Sequence, residues 1–189
     1  MTDRLYLDYN ATAKIRPEVI NALGQSMAQV GNASSVHGAG REARKSVENA
    51  RRHVASLVGA APDQVVFTSG GTEADNQVMQ MCDPARTFVS AIEHPAILDA
   101  CPGAQRVPVR TDGVIDLNAL ETMLADADAP QLVALMLANN ETGVLQPVAD
   151  AAKITHRFGA LLHCDAVQAV GKIPVDFAAL GADTMAMTG

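Results

Sequence analysis

Apolar and polar positions change their spacing several times along the 189-residue chain, and each change predicts a different element. Residues 5–9 alternate in the way that is typical of a short strand. Pro17 then suits the first turn of a helix, whose apolar positions Val19, Ile20 and Leu23 recur at helical spacing. A second, longer amphipathic helix is predicted over residues 40–58, with its charged residues on the solvent side.

From residue 65 onward, short apolar runs alternate with helical patterns. The predicted strands are residues 65–68, 87–92, 132–138, 160–164 and 184–187, and the predicted helices are residues 73–81, 95–100, 117–127 and 148–158. Asp116 is expected to cap a helix, Pro147 to open one and Gly159 to end one. Residues 106–109 suit an edge strand, because Pro108 would interrupt a central ladder. The alternation predicts an α/β fold in three layers, with a mainly parallel sheet and helices on both faces.

Composition narrows the class of protein. Hydrophobic residues make up 48% and charged residues 19% of the chain, as in an ordinary globular domain. A net charge of −7 argues against nucleic acid as a partner. Apolar runs are strand-sized, the first residues lack a secretion-signal pattern, and three cysteines stand in no metal or redox spacing. We therefore expect a cytoplasmic protein with reduced thiols and no membrane partner.

Polar residues gather where the predicted strands end. The strand ends are followed by Ser69-Gly70-Gly71-Thr72, Glu93-His94, Asn139-Asn140-Glu141-Thr142-Gly143, Asp165 with Gln168, and Thr188-Gly189. In open parallel sheets, ligands bind beyond the carboxyl ends of the strands. The glycine turn alone is compatible with an ordinary strand-to-helix connection, but it also suits an anion, because helix amides point at it. Five polar clusters in succession favour one shared site.

The chemistry of this set suits a phosphorylated aromatic cation. Gly71 and Thr72 offer an anion cradle, His94 offers a flat imidazole, and Asp165 offers a carboxylate that could keep a ring nitrogen protonated. Pyridoxal 5'-phosphate is the natural candidate. The bland alternatives are that His94 is a helix-entry residue and that Asp165 is bonded to nearby backbone. His163 and Asp165 share a strand face, which leaves a metal site as a minor alternative.

A set of motifs carries a family resemblance over nearly the whole chain. The motifs are Leu7-Asp8-Tyr9-Asn10-Ala11-Thr12, Gly31-Asn32-Ala33-Ser34-Ser35-Val36-His37, Thr68-Ser69-Gly70-Gly71-Thr72-Glu73, Glu93-His94-Pro95, Asn139-Asn140-Glu141-Thr142-Gly143 and His163-Cys164-Asp165-Ala166-Val167-Gln168. In this order and at similar separations, they resemble those of the cysteine desulfurases, which are enzymes of the class V aminotransferase fold. Glu93-His94-Pro95 resembles the nitrogen-fixation and iron–sulfur housekeeping group more than the selenocysteine-lyase-like group.

The resemblance implies a role for each matching residue. His94 would be catalytic, stacking on the cofactor ring and moving protons, while Asp165 would pair with the ring nitrogen. The cofactor phosphate would be bound by Gly71, Thr72 and Thr188. The phenolic oxygen would be bound by Asn140 and Gln168, and the substrate would lie near Asn32 and Asn140.

The resemblance also implies an organisation and a reaction. Residues 1–15 would pack with a small domain, and residues 16–189 would form the large domain of a fold type I enzyme, incomplete at its C-terminal end. A homodimer would convert L-cysteine to L-alanine and pass sulfur, as a persulfide, to an acceptor or scaffold protein for iron–sulfur cluster or thio-cofactor assembly. The family's next residues after a pair such as Thr188-Gly189 are His-Lys, and that lysine forms the Schiff base.

Neither that lysine nor a nucleophilic cysteine loop is present, so we expect the chain as given to be inactive. Another class V reaction, such as that of a selenocysteine lyase or an aminotransferase, and a non-catalytic remnant are the alternatives.

Overall fold

The computed structural model describes residues 5–189, which form two compact units. The first unit comprises the residues up to Ser56 together with Ala61–Val65. It contains helix α1, Pro17–Met27, and most of helix α2, Gly38–Leu57. Arg51 ties the end of this unit together, because its Nη1 donates to the carbonyl oxygen of Val65. Both predicted helices are confirmed, and α1 begins at its proline as expected.

The strand predicted over residues 5–9 is wrong. These residues join no ladder, and their side chains are exposed. Local contacts organise them instead: the Tyr6 hydroxyl donates to the Asp8 carbonyl oxygen over 2.7 Å, and the rings of Tyr6 and Tyr9 meet edge to face. Alternation describes a segment that could bury one face, but a strand also needs a neighbour to accept its hydrogen bonds.

The second unit, Leu57–Ala60 with Val66–Gly189, is built on a five-stranded sheet. Its strands are β1 Thr87–Ser90, β2 Gln105–Val107, β3 Leu132–Ala134, β4 Leu161–Asp165 and β5 Thr184–Ala186. The spatial order is β2-β1-β3-β4-β5, and every pairing is parallel. The edge strand predicted around Pro108 is confirmed, because β2 ends just before this proline and pairs only with β1.

Helices cover both faces of this sheet. They are α3 Gly71–Met79, α4 Pro95–Leu98, α5 Leu117–Asp126, α6 Val148–Arg157 and α7 Phe177–Leu180. Consecutive strand residues point to opposite faces, so Phe88 packs with α5 and α6 while Val89 packs with α3 and α4. The predicted three-layer α/β fold is therefore confirmed, with one hydrophobic core on each side of the sheet.

The strand predicted over residues 65–68 is wrong as well. This run makes no ladder within the described chain, and Val66 is 75% exposed. Its polar continuation nevertheless leads into α3, as the pattern of a short run followed by a helix predicts.

Helix ends follow local chemistry. The carboxylate of Asp116 accepts hydrogen bonds from the amides of Asn118 and Ala119 at 3.0 Å, which caps α5. Gly159 takes a positive φ of 72° directly after α6, where a side chain would be strained. Within residues 5–189, no helix combines the length and the apolar character that crossing a membrane would require.

Candidate functional site

A cleft of about 140 Å³ lies beyond the carboxyl ends of the central strands. It brings together six of the residues predicted from the sequence, namely Gly71, Thr72, His94, Asn140, Asp165 and Gln168. Asp75, Met136 and Val167 complete its lining. Two predicted residues lie outside this lining: Thr188 is exposed beyond β5, and Asn32 belongs to the other unit, where its Oδ1 accepts from the Ser34 amide over 2.9 Å.

Gly71 allows α3 to start close to the chain that follows β4. A Cβ atom at this position would lie 2.7 Å from Cγ2 of Val167, which is closer than packed carbon atoms come. A Cβ at Gly70 would meet nothing within 4 Å, so open space lies beside the first turn of the helix. The first amides of a helix have no carbonyl partner within it, and they favour an anion. This end of the cleft therefore fits a phosphate group.

His94 contributes one ring nitrogen to the fold and leaves the other for the cleft. Its Nδ1 accepts a hydrogen bond from the Ala96 amide over 3.1 Å, which makes His94 the N-cap of α4. An accepting Nδ1 places the proton of the neutral ring on Nε2. The helix-entry alternative and the cleft position are therefore both realised by the same side chain.

The consecutive residues Asn139 and Asn140 have different surroundings. Asn139 is buried, and its Oδ1 accepts from the amides of Glu141 and Thr142 while its Nδ2 donates to the Ile92 carbonyl over 3.0 Å. Asn140 lines the cleft, and its Nδ2 donates to Glu141 over 2.7 Å. The first asparagine therefore shapes the loop, and the second offers an amide to a ligand.

Asp165 ends β4 and faces the cleft, with only 6% of its surface exposed. Its Oδ1 accepts from the Val167 amide over 2.9 Å, as the backbone-bonded alternative predicted. Burial raises the pKa of Asp165 and the Asp75 carboxyl raises it further, while the Val167 amide, His163 and His94 act in the opposite direction. A cation placed beside Asp165 would favour its charged form.

A buried hydrogen-bonded chain joins Asp75, His163 and Thr184, and the sequence did not predict that Asp75 would line the cleft. His163 donates or accepts at both ring nitrogens, with Nε2 3.1 Å from Asp75 Oδ1 and Nδ1 2.8 Å from Thr184 Oγ1. Asp75 and His163 are each 1% exposed. The available signal was helical spacing, because Asp75 lies four residues before the apolar Met79 and so shares its buried face.

At the carboxyl ends of β1 and β3, the side chain of Glu93 makes a hydrogen bond where the backbone ladder between these strands has ended. Past Ala134 the chain keeps bonding to β4, since the Leu137 amide donates to the Asp165 carbonyl over 2.8 Å. On the other side β1 has already ended, and the Met136 amide donates to Glu93 Oε1 over 2.8 Å. The carboxyl group of Glu93 thus accepts the hydrogen bond that a strand carbonyl would otherwise receive.

The metal alternative finds no support in the geometry. Among the residues that the structure describes, no group of three or more histidine, cysteine, aspartate or glutamate side chains is placed to hold a metal ion. The donor set of the cleft instead combines an anion-binding helix start, a flat imidazole, two side-chain amides and a buried carboxylate. These groups fit a ring that carries a phosphate, a phenolic oxygen and a protonated nitrogen.

Known proteins resemble this chain in sequence and in fold. The sequence is 43% identical to a cysteine desulfurase of Cereibacter sphaeroides over 92% of this chain and 48% of that protein. It is 38% identical to an IscS-like cysteine desulfurase of Mycobacterium tuberculosis over 97% of this chain and 51% of that protein. A solved NifS-like protein from Rickettsia africae superposes with a TM-score of 0.92 at 38% identity, covering 97% of this chain and 53% of that one. The chain thus spans about half the length of the relatives it matches.

The sequence profile of the family described as aminotransferase class-V matches residues 5–189. This match covers every described element of both units, including the strand ends that line the cleft. It agrees with the resemblance inferred from the motifs and with the parallel α/β fold. The chain belongs to the class V aminotransferase family.

Proposed function

We propose that this chain is the cofactor-binding part of a pyridoxal 5'-phosphate-dependent cysteine desulfurase. Such an enzyme converts L-cysteine to L-alanine and passes the sulfur on, as an enzyme persulfide, for iron–sulfur cluster or thio-cofactor assembly. The observation that carries the proposal is the single cleft in which six predicted residues meet. Relatives named cysteine desulfurases, at 43% and 38% identity, support it.

The family resemblance suggests a task for each predicted site residue. Gly71 and Thr72 would bind the phosphate at the start of α3, and the Thr188 hydroxyl would join them. Asn140 and Gln168 would bond the phenolic oxygen through their side-chain amides. Asn32 and Asn140 would bind the substrate.

His94 and Asp165 would control the protons. The cofactor, when bound, supplies an electron-accepting ring that stabilises negative charge on the substrate carbon. Asp165 would hold a negative charge opposite the ring nitrogen, in a buried position where that charge acts strongly. His94 would lie against the ring and move a proton at Nε2, because its Nδ1 is engaged by the Ala96 amide.

The 189-residue chain by itself is expected to lack turnover. Its lysines are Lys14, Lys45, Lys153 and Lys172, and none is among the described residues that line the cleft. Lys172 contacts a residue of the lining, since its Nζ donates a hydrogen bond to Oε1 of Gln168. Among the described residues, no lysine is therefore part of the cleft lining from which a cofactor could be bound covalently.

Organisation and partners complete the proposal. By the family resemblance, residues 1–15, of which 1–4 lie outside the described residues, would pack with a small domain, and residues 16–189 would form the large, cofactor-binding domain. The enzyme would be a cytoplasmic homodimer that delivers sulfur to an acceptor or scaffold protein. These expectations rest on the family resemblance of the sequence motifs.

Binding of pyridoxamine 5'-phosphate to the 189-residue chain tests the cofactor site, because this probe needs no lysine. We expect saturable binding by isothermal calorimetry, and we expect Asp165→Asn to weaken it at least about tenfold, which corresponds to about 1.4 kcal/mol. Asp112→Asn is the matched control, since Asp112 is exposed, pairs with Arg110 and lies outside the cleft. Equal affinities for the two variants would refute the assignment of Asp165.

Activity is tested on the protein as its gene encodes it. We expect L-cysteine to yield L-alanine together with sulfide when a thiol reductant is present. Selenocysteine and other amino acids serve as competing substrates, which separates a desulfurase from a selenocysteine lyase or an aminotransferase. Probe binding without any product from cysteine would leave the cofactor site standing and reject the desulfurase.

A further inference from the structure

Three carboxyl groups are buried together at the carboxyl ends of the strands, and their surroundings differ. Asp75 is bonded to His163 Nε2. Asp165 faces the cleft, accepts from the Val167 amide, and is stabilised in its charged form by His163 and His94. Glu93, 4% exposed, accepts from the Met136 amide at Oε1 and is influenced by the Ser90 hydroxyl, while its buried Oε2 makes no hydrogen bond of standard geometry to any described residue.

The charged groups that act on Glu93 are both acids. Burial raises the pKa of Glu93 from its ordinary 4.5 to about 8, and the charges of Asp165 and Asp75 add to this rise. The Met136 amide and the Ser90 hydroxyl act in the opposite direction without offsetting it. Cys164, another titratable neighbour, has its thiol pKa raised by burial and then by Glu93, Asp165 and Asp75, so it also stays uncharged at neutral pH.

Neighbouring carboxyl groups in unlike surroundings divide their protons unequally. Two like charges close together in a poorly solvated region are costly, so the group whose charged form is less stabilised by its surroundings keeps the proton. Glu93 is that group, because it lacks the imidazoles and the cleft solvent that serve Asp165.

We propose that Glu93 is a positioning residue that keeps its proton on Oε2 and thereby leaves Asp165 as the carboxylate that faces the cleft. The assignment of the proton to Glu93 and of the charge to Asp165 rests on the burial and the hydrogen bonds of the three carboxyl groups. Its use, to hold a charge opposite the ring nitrogen of a bound cofactor, rests on the proposed function. Glu93 acts through Asp165 and does not touch the ligand.

A purely structural role for Glu93 makes a different prediction. Making the hydrogen bond beyond the end of β1 requires only an acceptor at Oε1, which a charged carboxylate, a neutral acid or an amide would all provide. Such a role would not couple the titration of Glu93 to the charge of Asp165. A dependence of the Glu93 titration on the charge of Asp165 therefore distinguishes the positioning role from the purely structural role.

Difference infrared spectroscopy of the ligand-free 189-residue chain measures this coupling. The spectrum of the parent minus that of Glu93→Gln is expected to show a carboxylic-acid carbonyl band at pH 7 that disappears with a midpoint near pH 8. In Asp165→Asn, the midpoint is expected to move to lower pH by roughly half a unit or more, because a repelling charge is gone. Asp112→Asn should leave the midpoint unchanged.

An absent acid band at pH 7, or the same midpoint in Asp165→Asn and the parent, would overturn the proposal. If Glu93→Gln does not fold, carboxyl carbon NMR of Glu93 in the parent and in Asp165→Asn yields the same two midpoints. Neither titration involves a cofactor. Failure of pyridoxamine 5'-phosphate to bind would therefore reject the proposed function while leaving the proton assignment intact.

Discussion

Gly71 offers a direct test of the cleft at the scale of one residue. In Gly71→Ala, the new Cβ would lie 2.7 Å from Val167 Cγ2, and the stiff, β-branched valine has little freedom to move away. We expect a loss of about 1–3 kcal/mol in the free energy of unfolding, as for other overpacked sites. Weaker binding of pyridoxamine 5'-phosphate should accompany it. Chemical denaturation and calorimetry measure the two effects.

Two further variants control this experiment. Gly70→Ala places its Cβ in open space, and the φ of Gly70, 165°, is extended backbone that alanine also adopts, so its effect should be smaller. Val167→Ala removes the clashing methyl group and should restore much of the stability of Gly71→Ala. A double variant as unstable as Gly71→Ala would show that the clash is not the cause.

The raised pKa of Glu93 also predicts how stability depends on pH. The folded chain holds this proton up to about pH 8, whereas the unfolded chain releases it near 4.5. The contribution of Glu93 to stability is therefore full below about pH 4.5 and is lost as pH rises to about 8. We expect the difference in unfolding free energy between Glu93→Gln and the parent to grow in favour of Glu93→Gln across this range, to a few kcal/mol. A difference that stays constant with pH would contradict the shift.

The residues of the cleft could be predicted from the sequence to the extent that strand ends could be found. Gly71, His94 and Asp165 each follow an apolar run, and the topology of a parallel sheet brings such positions together. The burial of Asp75 and Glu93 was not predicted, because an acid beside a strand or on a helix is usually solvated. Only the packing shows that these two lie inside.

At the scale of elements, helix caps depend on a few neighbouring residues and can therefore be predicted from the sequence. In Asp116→Ala, α5 loses the acceptor for the amides of Asn118 and Ala119, and we expect a loss of about 1 kcal/mol in the free energy of unfolding. Asp116→Asn keeps an acceptor at the same place and should cost at most a few tenths. Urea denaturation of the three proteins decides this, and equal losses in both variants would argue against capping.

Strands were less predictable than helices, for a physical reason. A helix satisfies its hydrogen bonds within its own segment, so α5 and α6 were predicted within one residue of their observed ends. A strand depends on a neighbour that its own pattern does not describe. Residues 5–9 and 65–68 carry strand-like patterns without a ladder, and β3 is assigned only over Leu132–Ala134 of the predicted 132–138.

At the scale of the whole molecule, α1 predicts how the 189-residue chain behaves in solution. None of its residues is buried, and Ile20, Leu23 and Met27 are at least half exposed. Exposed apolar stripes favour association. We expect the average mass to rise with concentration in sedimentation velocity experiments.

Leu23→Lys should reduce this association without loss of stability, because Leu23 is half exposed. Gln25→Lys adds the same charge at a polar position of the same helix and should reduce it less. A parent that remains monomeric at every concentration would show that the stripe does not drive association.

The place where β1 stops has a consequence for how the cleft can change during evolution. Elsewhere in the described sheet the strands are joined by backbone groups, which every amino acid except proline supplies in full. Beside Met136 the joining groups belong to the side chains of Glu93 and Asn139. A single substitution at Glu93 can alter both this junction and the buried group of carboxyls beside the cleft. The part of the sheet behind Met136 is thus easier to change by substitution than the strands that are joined by backbone groups alone.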